Sequence, residues 1–315
     1  MINYNKARQS LIDMYIKSLE EGDIPFHQMW KTKSPKNAIS GVKYRGVNNL
    51  ILSFVSAQRG YKDNRWCTYL QIKKQKWKLK DAKGQGVDIE YAGMKNKIDK
   101  KLYSFDDYKK IIEENPEREN EFYLRRYNYK VFNADLIEGI KPDKEIEENN
   151  ITPNEYVEKI IENLGVSYQE KGDEAYYDLL RDEVVIPERG LFKNNYAYCA
   201  TQLHELAHST GHHSRLDRNM EGKFGSVEYA KEELRAEISS SFLMQDLGLE
   251  YDDNHLNNHK AYVKSWLQII KDKPQELFSA ISEANKITSY LKGKSKFQEK
   301  NISEDMDIEM EMEYD

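Results

Sequence analysis

The run His204-Glu205-Leu206-Ala207-His208 decides how the second half of this chain folds. Two histidines four positions apart on a helix project from one face, about one turn apart, so both imidazoles can reach one ion. Glu205 directly follows His204, where its carboxylate can reach a water on that ion without becoming a ligand. The pattern indicates a hydrolytic zinc site with two histidine ligands, a general base and an open position for water.

The flanking sequence predicts that this motif lies on a helix. The pair Asn194-Asn195 can cap a helix over residues 196–210, and Gly211 is a typical helix stop. Upstream, residues 176–178 and 183–187 read as two short strands that meet at a turn. An edge strand followed by a metal-bearing helix is the layout of zincin-type metallopeptidases.

A catalytic zinc usually has a third protein ligand. A histidine six residues after His208, as in the metzincin pattern HExxHxxGxxH, is ruled out because that position is Ser214. A second helix, beginning after Ser226, carries Glu233 and Glu237 on one face. We predict Glu233 as the third ligand and Glu237 as the partner of one histidine, although the reverse assignment also fits the spacing. The alternative is an exposed, Glu-rich helix face.

Charge is distributed unevenly along the 315 residues, whose net charge is −6. Residues 1–80 hold twelve Lys and four Arg against five Asp and Glu, a local net charge of +11. The last residues, from 304 onward, form an acidic tail. A basic block within an acidic protein indicates local binding of a polyanion.

Aromatic residues are interleaved with these basic residues. Flat rings stack on unpaired bases while Lys and Arg follow phosphates, which suits single-stranded nucleic acid better than intact duplex. The alternative is that the rings belong to the core of a small α+β domain and the lysines to its solvated face. The positions that favour the nucleic-acid interpretation are Tyr44, Arg45, Trp66, Tyr69 and Lys74.

Several separated motifs, in order, resemble ArdC-type antirestriction proteins of plasmids, phages and other mobile elements. In the second half these are HELAHSTGH from residue 204, Ser214-Arg215-Leu216, Phe224-Gly225-Ser226 and EELRAE from residue 232. In the first half they include Pro35-Lys36-Asn37, Tyr44-Arg45-Gly46-Val47-Asn48, Arg65-Trp66-Cys67-Thr68-Tyr69 and the segment 129–135.

This resemblance implies a domain that binds single-stranded DNA, joined to a zincin-like metallopeptidase domain. It adds Lys36, Asn37 and Asn48 to the candidate DNA-binding residues. The expected fold class is α+β, with a small N-terminal α+β domain followed by a mainly helical metallopeptidase domain that has a short edge sheet.

The predicted boundaries are residues 1–140 for the DNA-binding domain, 141–150 for a linker, 151–293 for the metallopeptidase domain and 294–315 for a disordered acidic tail. Residues 104–121 are expected to form a charged helix that is interrupted at Pro116. Helices over about 254–292, resuming after Pro274, are expected to cover the metal site.

Two further features of the sequence indicate the cellular compartment. Cys67 and Cys199 are the only cysteines and fall in different domains, which excludes a disulfide framework and favours a reducing cytoplasm. No apolar run is long enough to span a membrane, and the start of the chain lacks the apolar region of a signal peptide.

The leading hypothesis is a single-stranded DNA-binding antirestriction protein of a mobile element, with zinc held by His204, His208 and Glu233 and with Glu205 as general base. A host restriction or regulatory protein would be its peptidase target. The alternative is a non-catalytic DNA-binding protein in which zinc is only structural. In a third interpretation, the basic region binds an acidic protein instead of DNA.

Overall fold

The computed structural model of the chain describes residues 5–22, 32–143, 152–223, 225–248 and 260–295. Its first half combines helices with one main sheet. The helices are α1 (Lys6–Glu20), α2 (Gly46–Arg59), α3 (Tyr69–Lys74) and α4 (Phe105–Glu114). The strands are β1 (Lys36–Asn37), β2 (Arg65–Thr68), β3 (Lys78–Leu79), β4 (Val87–Asn96), β5 (Leu102–Tyr103), β6 (Phe122–Asn133) and β7 (Ile137–Glu138).

The main sheet has the strand order β1-β2-β6-β4-β5. β1 and β2 run parallel and the other neighbours antiparallel. The long pair β4–β6 stays in one register from Val87↔Val131 to Asn96↔Phe122. Val87, Ile89 and Val131 are buried, so one end of this pair belongs to the core. A separate two-stranded ladder joins β3 to β7.

The second half is mainly helical. Its helices are α5 (Pro153–Leu164), α6 (Asn195–Ser209), α7 (Val227–Leu247), α8 (Lys260–Asp272) and α9 (Gln275–Ser295). A small sheet contains β8 (Ser167–Glu170), β9 (Tyr176–Asp178) and β10 (Glu183–Ile186) in the order β8-β10-β9. β10 lies between the other two strands, and all four of its residues are buried. β9 is at the edge beside α6.

One hydrophobic core runs through both halves of the chain. It includes Leu11 and Leu50 from the first half and Leu203, Leu243 and Leu291 from the second, all fully buried. Burying an aliphatic side chain of this size contributes on the order of 1.5–3 kcal/mol. The two halves therefore share much of their apolar stabilisation.

Polar contacts near the end of α7 also join the halves. Gln245 Nε2 donates to Ser53 Oγ at 2.8 Å. Asp246 accepts from Lys43 Nζ at 3.1 Å and pairs with Lys292. Burial alone raises the pKa of a carboxyl, but the Lys292 and Lys43 charges outweigh burial and lower the pKa of Asp246. Asp246 is thus a buried charge whose partners come from both halves.

The α+β fold class predicted from the sequence is confirmed, as is the short sheet beside helix α6, which carries the two motif histidines. α4 ends before Pro116, where a 3₁₀ turn begins, as the proline predicted. α9 extends to Ser295, two residues into the segment predicted as a disordered tail. Three predicted segments lie outside the described residues: the rest of that tail, residues 144–150 of the linker, and the helical start near residue 254. Among the described helices, none is both long and apolar enough to span a membrane.

Candidate metal centre and nucleic-acid interface

Helix α6 places the two motif histidines side by side. Asn194 caps it by accepting a hydrogen bond from the Ala197 N–H at 2.8 Å, which fixes where its turns begin. The Nε2 atoms of His204 and His208 lie 3.2 Å apart, and their ring planes are nearly perpendicular at 80°. Two nitrogens therefore point to one position beside the helix.

Helix α7 brings a carboxylate to the same position. The Glu233 oxygens lie 3.5 Å from His204 Nε2 and 3.4 Å from His208 Nε2. One potential ligand atom from each of His204, His208 and Glu233 lies within 4.8 Å of the other two. This geometry favours Glu233 over Glu237 as the third ligand.

The donor set fits a divalent cation. Burial disfavours charge on the imidazoles, yet their hydrogen bonds to nearby carboxylates raise the pKa of His204 well above normal and that of His208 to about 9. Burial would likewise raise the pKa of Glu233, but both histidines outweigh it and hold this pKa far below its usual range. A cation would take the place of the protons that now bind these groups together.

Two further glutamates contact the other side of the imidazole rings. Glu237 Oε2 lies 3.3 Å from His204 Nδ1, and Glu232 Oε1 lies 3.3 Å from His208 Nδ1. A carboxylate at Nδ1 fixes the tautomer that leaves Nε2 free to bind a metal. Glu237, predicted as the partner of one histidine, thus lies beside His204, and Glu232, for which no role was predicted, lies beside His208.

Glu232 is itself held by two arginines. Arg218 Nη2 donates to its Oε1 at 2.6 Å, and Arg235 Nη1 donates to its Oε2 at 3.2 Å. Burial favours the neutral acid, but hydrogen bonding by His208 and the Arg218 charge lower the pKa of Glu232 to about 2. Arg218 lies in the loop between α6 and α7, so helix periodicity gave no signal for this contact.

Glu205 lies in a buried position beside the cluster. Burial raises the pKa of Glu205 despite the opposing histidine charges, as expected for a carboxylate that accepts and returns a proton. The backbone N–H of Tyr177 on the edge strand β9 is close enough to favour the charged form of the Glu205 carboxylate and so to lower its pKa slightly. Tyr177 is fixed in turn, because its phenol donates to Asp182 Oδ1 at 2.8 Å and Asp182 pairs with Arg215.

Tyr229, His212 and His213 carry side chains of the types that can stabilise a developing oxyanion. Tyr229 lies beside Glu233, and its pKa is raised first by burial and then by the Glu233 charge. His212 is turned toward Ser214 Oγ, 2.8 Å from its Nδ1, and His213 packs against the His212 ring. Among these candidates, the contact with a ligand residue favours Tyr229. The Tyr262 ring packs against Tyr229, a contact that sequence reasoning missed.

Part of the predicted nucleic-acid surface is accessible. Tyr69 is 51% exposed, and the ammonium of Lys73 lies over its ring, 5.4 Å from the centroid. Arg45 and Lys74 are exposed as well. Tyr44 is largely covered, and its hydroxyl lies 3.4 Å from Asn37 Nδ2.

Other predicted DNA contacts have structural partners. Trp66 is fully buried on β2 and packs edge-on against Tyr61, so the prediction that its ring contacts DNA is corrected: it is a core residue. Both ends of the Asn48 carboxamide bind the backbone of Glu90, at 2.7 and 2.9 Å, and stabilise the open edge of β4. Lys36 pairs with Asp143 at 2.6 Å.

Comparison with known proteins agrees with both halves of this arrangement. Residues 5–132 match the N-terminal domain of anti-restriction factor ArdC, and residues 155–283 match a zincin-like metallopeptidase family. The chain thus joins an ArdC-type N-terminal domain to a zincin-like metallopeptidase domain. The ArdC-type domain order predicted from the sequence is thereby confirmed.

Two solved structures of the antirestriction ArdC protein from the R388 plasmid are similar to this chain over almost its whole length. The metal-free form gives a TM-score of 0.70 at 27% identity and covers 92% of this chain and 98% of that one. The Mn(II)-bound form gives 0.69 at 28% identity and covers 95% and 100%. The R388 protein therefore binds a divalent metal in a fold similar to this one.

Curated relatives include two Escherichia coli proteins named DNA primase TraC, each 33% identical. The matches cover 92% and 94% of this ArdC-type chain, but the chain spans only 20% and 28% of the length of those relatives. The uncharacterized protein y4eC of Sinorhizobium fredii (strain NBRC 101917 / NGR234) is 29% identical, with 91% of both chains covered.

Proposed function

We propose that this chain is a single-stranded DNA-binding antirestriction protein of a mobile element and that its second half is a zinc metallopeptidase. The match to the ArdC N-terminal domain and the similarity to the R388 protein support the antirestriction role. The proposed division of function follows the predicted boundaries, residues 1–140 for DNA and 151–293 for hydrolysis.

The observation that carries the peptidase proposal is the convergence of His204, His208 and Glu233 beside a buried Glu205. Two imidazoles and one carboxylate are the protein ligands of many catalytic zinc sites, which leave the fourth position open. A bound divalent cation would polarise a scissile carbonyl and make a water more acidic.

The remaining chemistry belongs to the chain's own residues. Glu205 would accept a proton from the attacking water and later deliver it to the leaving amine. The Tyr177 N–H keeps the Glu205 carboxylate oriented, and Glu237 and Glu232 keep the histidine rings oriented. Tyr229 is proposed to donate a hydrogen bond to the oxyanion as negative charge develops on it.

Glu205→Gln tests this assignment directly. We expect metal content and thermal stability close to wild type, because the amide keeps the size of the side chain and Glu205 is not a ligand. Protection of transferred DNA in a restricting recipient should be lost. Glu228→Gln, an exposed change in the first turn of α7, is the matched control. Full protection by Glu205→Gln would instead mean that the metal has only a structural role.

The DNA-binding proposal rests on the local charge of +11 in residues 1–80 and on the exposed Tyr69, Arg45 and Lys74. Fluorescence anisotropy with labelled oligo-dT and with duplex of the same length should show tighter binding to the single strand. Affinity should fall steeply with salt. No binding to either probe would leave an acidic protein as the partner of the basic region.

The proposed peptidase target is a host restriction or regulatory protein met in the recipient cytoplasm. Cys67 and Cys199 are free and buried, which suits a reducing compartment. Incubating the protein with recipient extract and comparing N-termini between wild type and Glu205→Gln would identify the target. A cleavage present in both samples would not be attributed to this site.

A further inference from the structure

The long hairpin-like pair β4–β6 has one face whose composition differs sharply along its length. Alternate residues of a strand share a face, and directly paired residues lie on the same side of the sheet. At one end this face is core, through Val87, Ile89 and Val131. Next to these residues Tyr129, opposite Ile89, packs against the core. Farther along, the face carries only tyrosine and basic side chains around Gly93: Tyr123, Arg125 and Tyr127 on β6, with Tyr91 and Lys95 opposite on β4.

The side chains of this face contact one another. The Arg125 guanidinium lies 5.5 Å from the centroid of the Tyr127 ring, and Lys95 Nζ lies 3.3 Å from the Tyr127 hydroxyl. Tyr91 and Tyr129 pack edge to face at 6.3 Å. Tyr123 remains 41% exposed. We call the six residues 91, 95, 123, 125, 127 and 129 the tyrosine face.

Acidic residues of these two strands lie on the opposite side and are already paired. Asp88 accepts from Lys130 at 2.9 Å, and Glu90 accepts from Arg8 at 2.8 Å. Burial raises the pKa of the Tyr91 phenol, and the nearby charge of Asp107 on α4 raises it further. Arg125 makes no ion pair with any described residue, so its charge can act on an external anion.

Spacing along the strand favours an unstacked nucleic acid. Residues two apart on one face are separated by about 6.6–6.8 Å. Stacked nucleotides in a duplex strand advance only about 3.4 Å, so successive rings of the face could meet successive bases only if the strand is pulled out of its stack. Flat rings can then stack on the free base faces while Arg125 and Lys95 meet phosphates.

We infer that the tyrosine face is a binding surface for single-stranded DNA, additional to the region around Tyr69 and Arg45. This inference rests on the proposed DNA-binding function and names a surface for it. The surface is built on two long paired strands, so its side chains are held in a fixed row. A flexible polymer can lie along such a row without a closed pocket.

Tyr123→Thr in the full chain is the test variant, because threonine keeps the β-propensity and removes the ring. Tyr176→Thr is the matched control, since Tyr176 also lies on a strand and is 40% exposed. In oligo-dT anisotropy, Tyr123→Thr should weaken binding about tenfold, within the usual range for loss of one stacked base. Tyr176→Thr should leave binding unchanged.

A second variant tests the charge. Arg125→Gln should lower the slope of log affinity against log salt by about 0.7, as expected for one phosphate contact on a single strand. Arg181→Gln, exposed in the other half, should not change it. Circular dichroism on every variant checks that the fold is kept.

The outcomes separate this inference from the function it rests on. If wild type fails to bind oligo-dT, the proposed DNA-binding function itself is wrong. If wild type binds but Tyr123→Thr and Arg125→Gln match their controls, the function stands and the tyrosine face is not the surface. If both variants weaken oligo-U binding but not oligo-dT binding, the occupant is RNA and the inference is overturned.

Discussion

The candidate metal centre and the proposed nucleic-acid surface of this protein are built in opposite ways. At the candidate metal centre, buried charges on two long helices contact one another, and Glu232, Glu233 and Glu237 are each paired with a histidine or an arginine. On the first half, the candidate DNA-binding side chains are spread over several elements, from the short helix α3 to the long strands β4 and β6, and they depend on exposure. Chemistry at one point needs convergence and burial, whereas contact with a polymer needs many accessible groups.

Removal of a metal ligand should give the largest effect. His204→Ala and Glu233→Ala should each reduce bound metal from about one per chain to almost none, since each removes one of three convergent donors. Glu237→Ala should keep the metal with affinity lowered by roughly 10–100-fold, as expected when a supporting contact is lost. Elemental analysis after dialysis measures both, with Glu228→Ala as control. Metal lost with Glu237 but kept without Glu233 would reverse the ligand assignment.

Arg218→Ala should show how far the metal centre depends on its charge pairing. The change leaves Glu232 buried without its closest cation and also removes the Arg218 hydrogen bonds to Thr210 Oγ1 and Ala207 O. Breaking a buried pair typically costs about 3–5 kcal/mol. Urea unfolding measures this loss. The exposed Arg181→Ala should stay within about 0.5 kcal/mol of wild type. Equal values for the two variants would show that Arg218 is not structurally important.

In the first half, two variants should distinguish a residue that stabilises the fold from a residue that contacts DNA. Asn48→Ala removes both hydrogen bonds to the Glu90 backbone and should lower the free energy of unfolding by about 1–3 kcal/mol. Tyr69→Ala should leave stability within about 0.5 kcal/mol of wild type, because its ring is half exposed. It should nevertheless weaken oligo-dT binding by about 1–3 kcal/mol. The opposite pattern would exchange the roles assigned to these two residues.

The smallest expected effect depends on pH. Burial raises the pKa of Glu90, but hydrogen bonds from Arg8 and Asn5 outweigh it and leave this pKa lowered. A carboxyl with a lowered folded-state pKa stabilises the fold above its unfolded pKa of about 4.3, and the contribution fades as pH falls below that value. Wild type should therefore exceed Arg8→Gln by about 1–2 kcal/mol at pH 7 and by less at pH 3.

Urea unfolding of wild type and Arg8→Gln across this pH range measures the difference. Because both proteins carry the same metal centre, acid release of metal cancels in the comparison. A difference that grows toward low pH would mean that another group controls the contact, with Arg126, 3.9 Å from Glu90, as the first to examine.

Much of the helical frame of the metal centre could be predicted from the sequence. Asn194, Ser226 and Gly248 mark helix ends by local chemistry, and the structure places the ends of α6 and α7 at these residues. The four-residue histidine spacing fixes a shared face in any α-helix. The Arg218–Glu232 contact could not be predicted, because it joins a loop to a helix through tertiary packing.

The first half was harder to predict because aromatic composition does not show which side of a sheet faces solvent. Trp66 and Tyr69 are three residues apart, yet Trp66 is fully buried and Tyr69 is half exposed. The difference arises because β2 lies between β1 and β6, whereas Tyr69 begins the short helix that follows. The tyrosine face was missed because β6 was not predicted as a long strand. Within that strand Tyr123, Arg125, Tyr127 and Tyr129 alternate, and the β4–β6 register adds Tyr91 and Lys95.

The contacts of helix α7 limit how the two halves of the chain could be exchanged by recombination. Its first half carries Glu232, Glu233 and Glu237, and its last turn is anchored by Ser53 and Lys43 of the other half. A 21-residue helix spans about 31 Å, so one rigid element joins the candidate metal centre to the first half of the chain. A recombination event between the halves would leave Asp246 with Lys292 alone. These two modules are therefore expected to be inherited together, and a transplanted metallopeptidase half would need a new partner surface at that end.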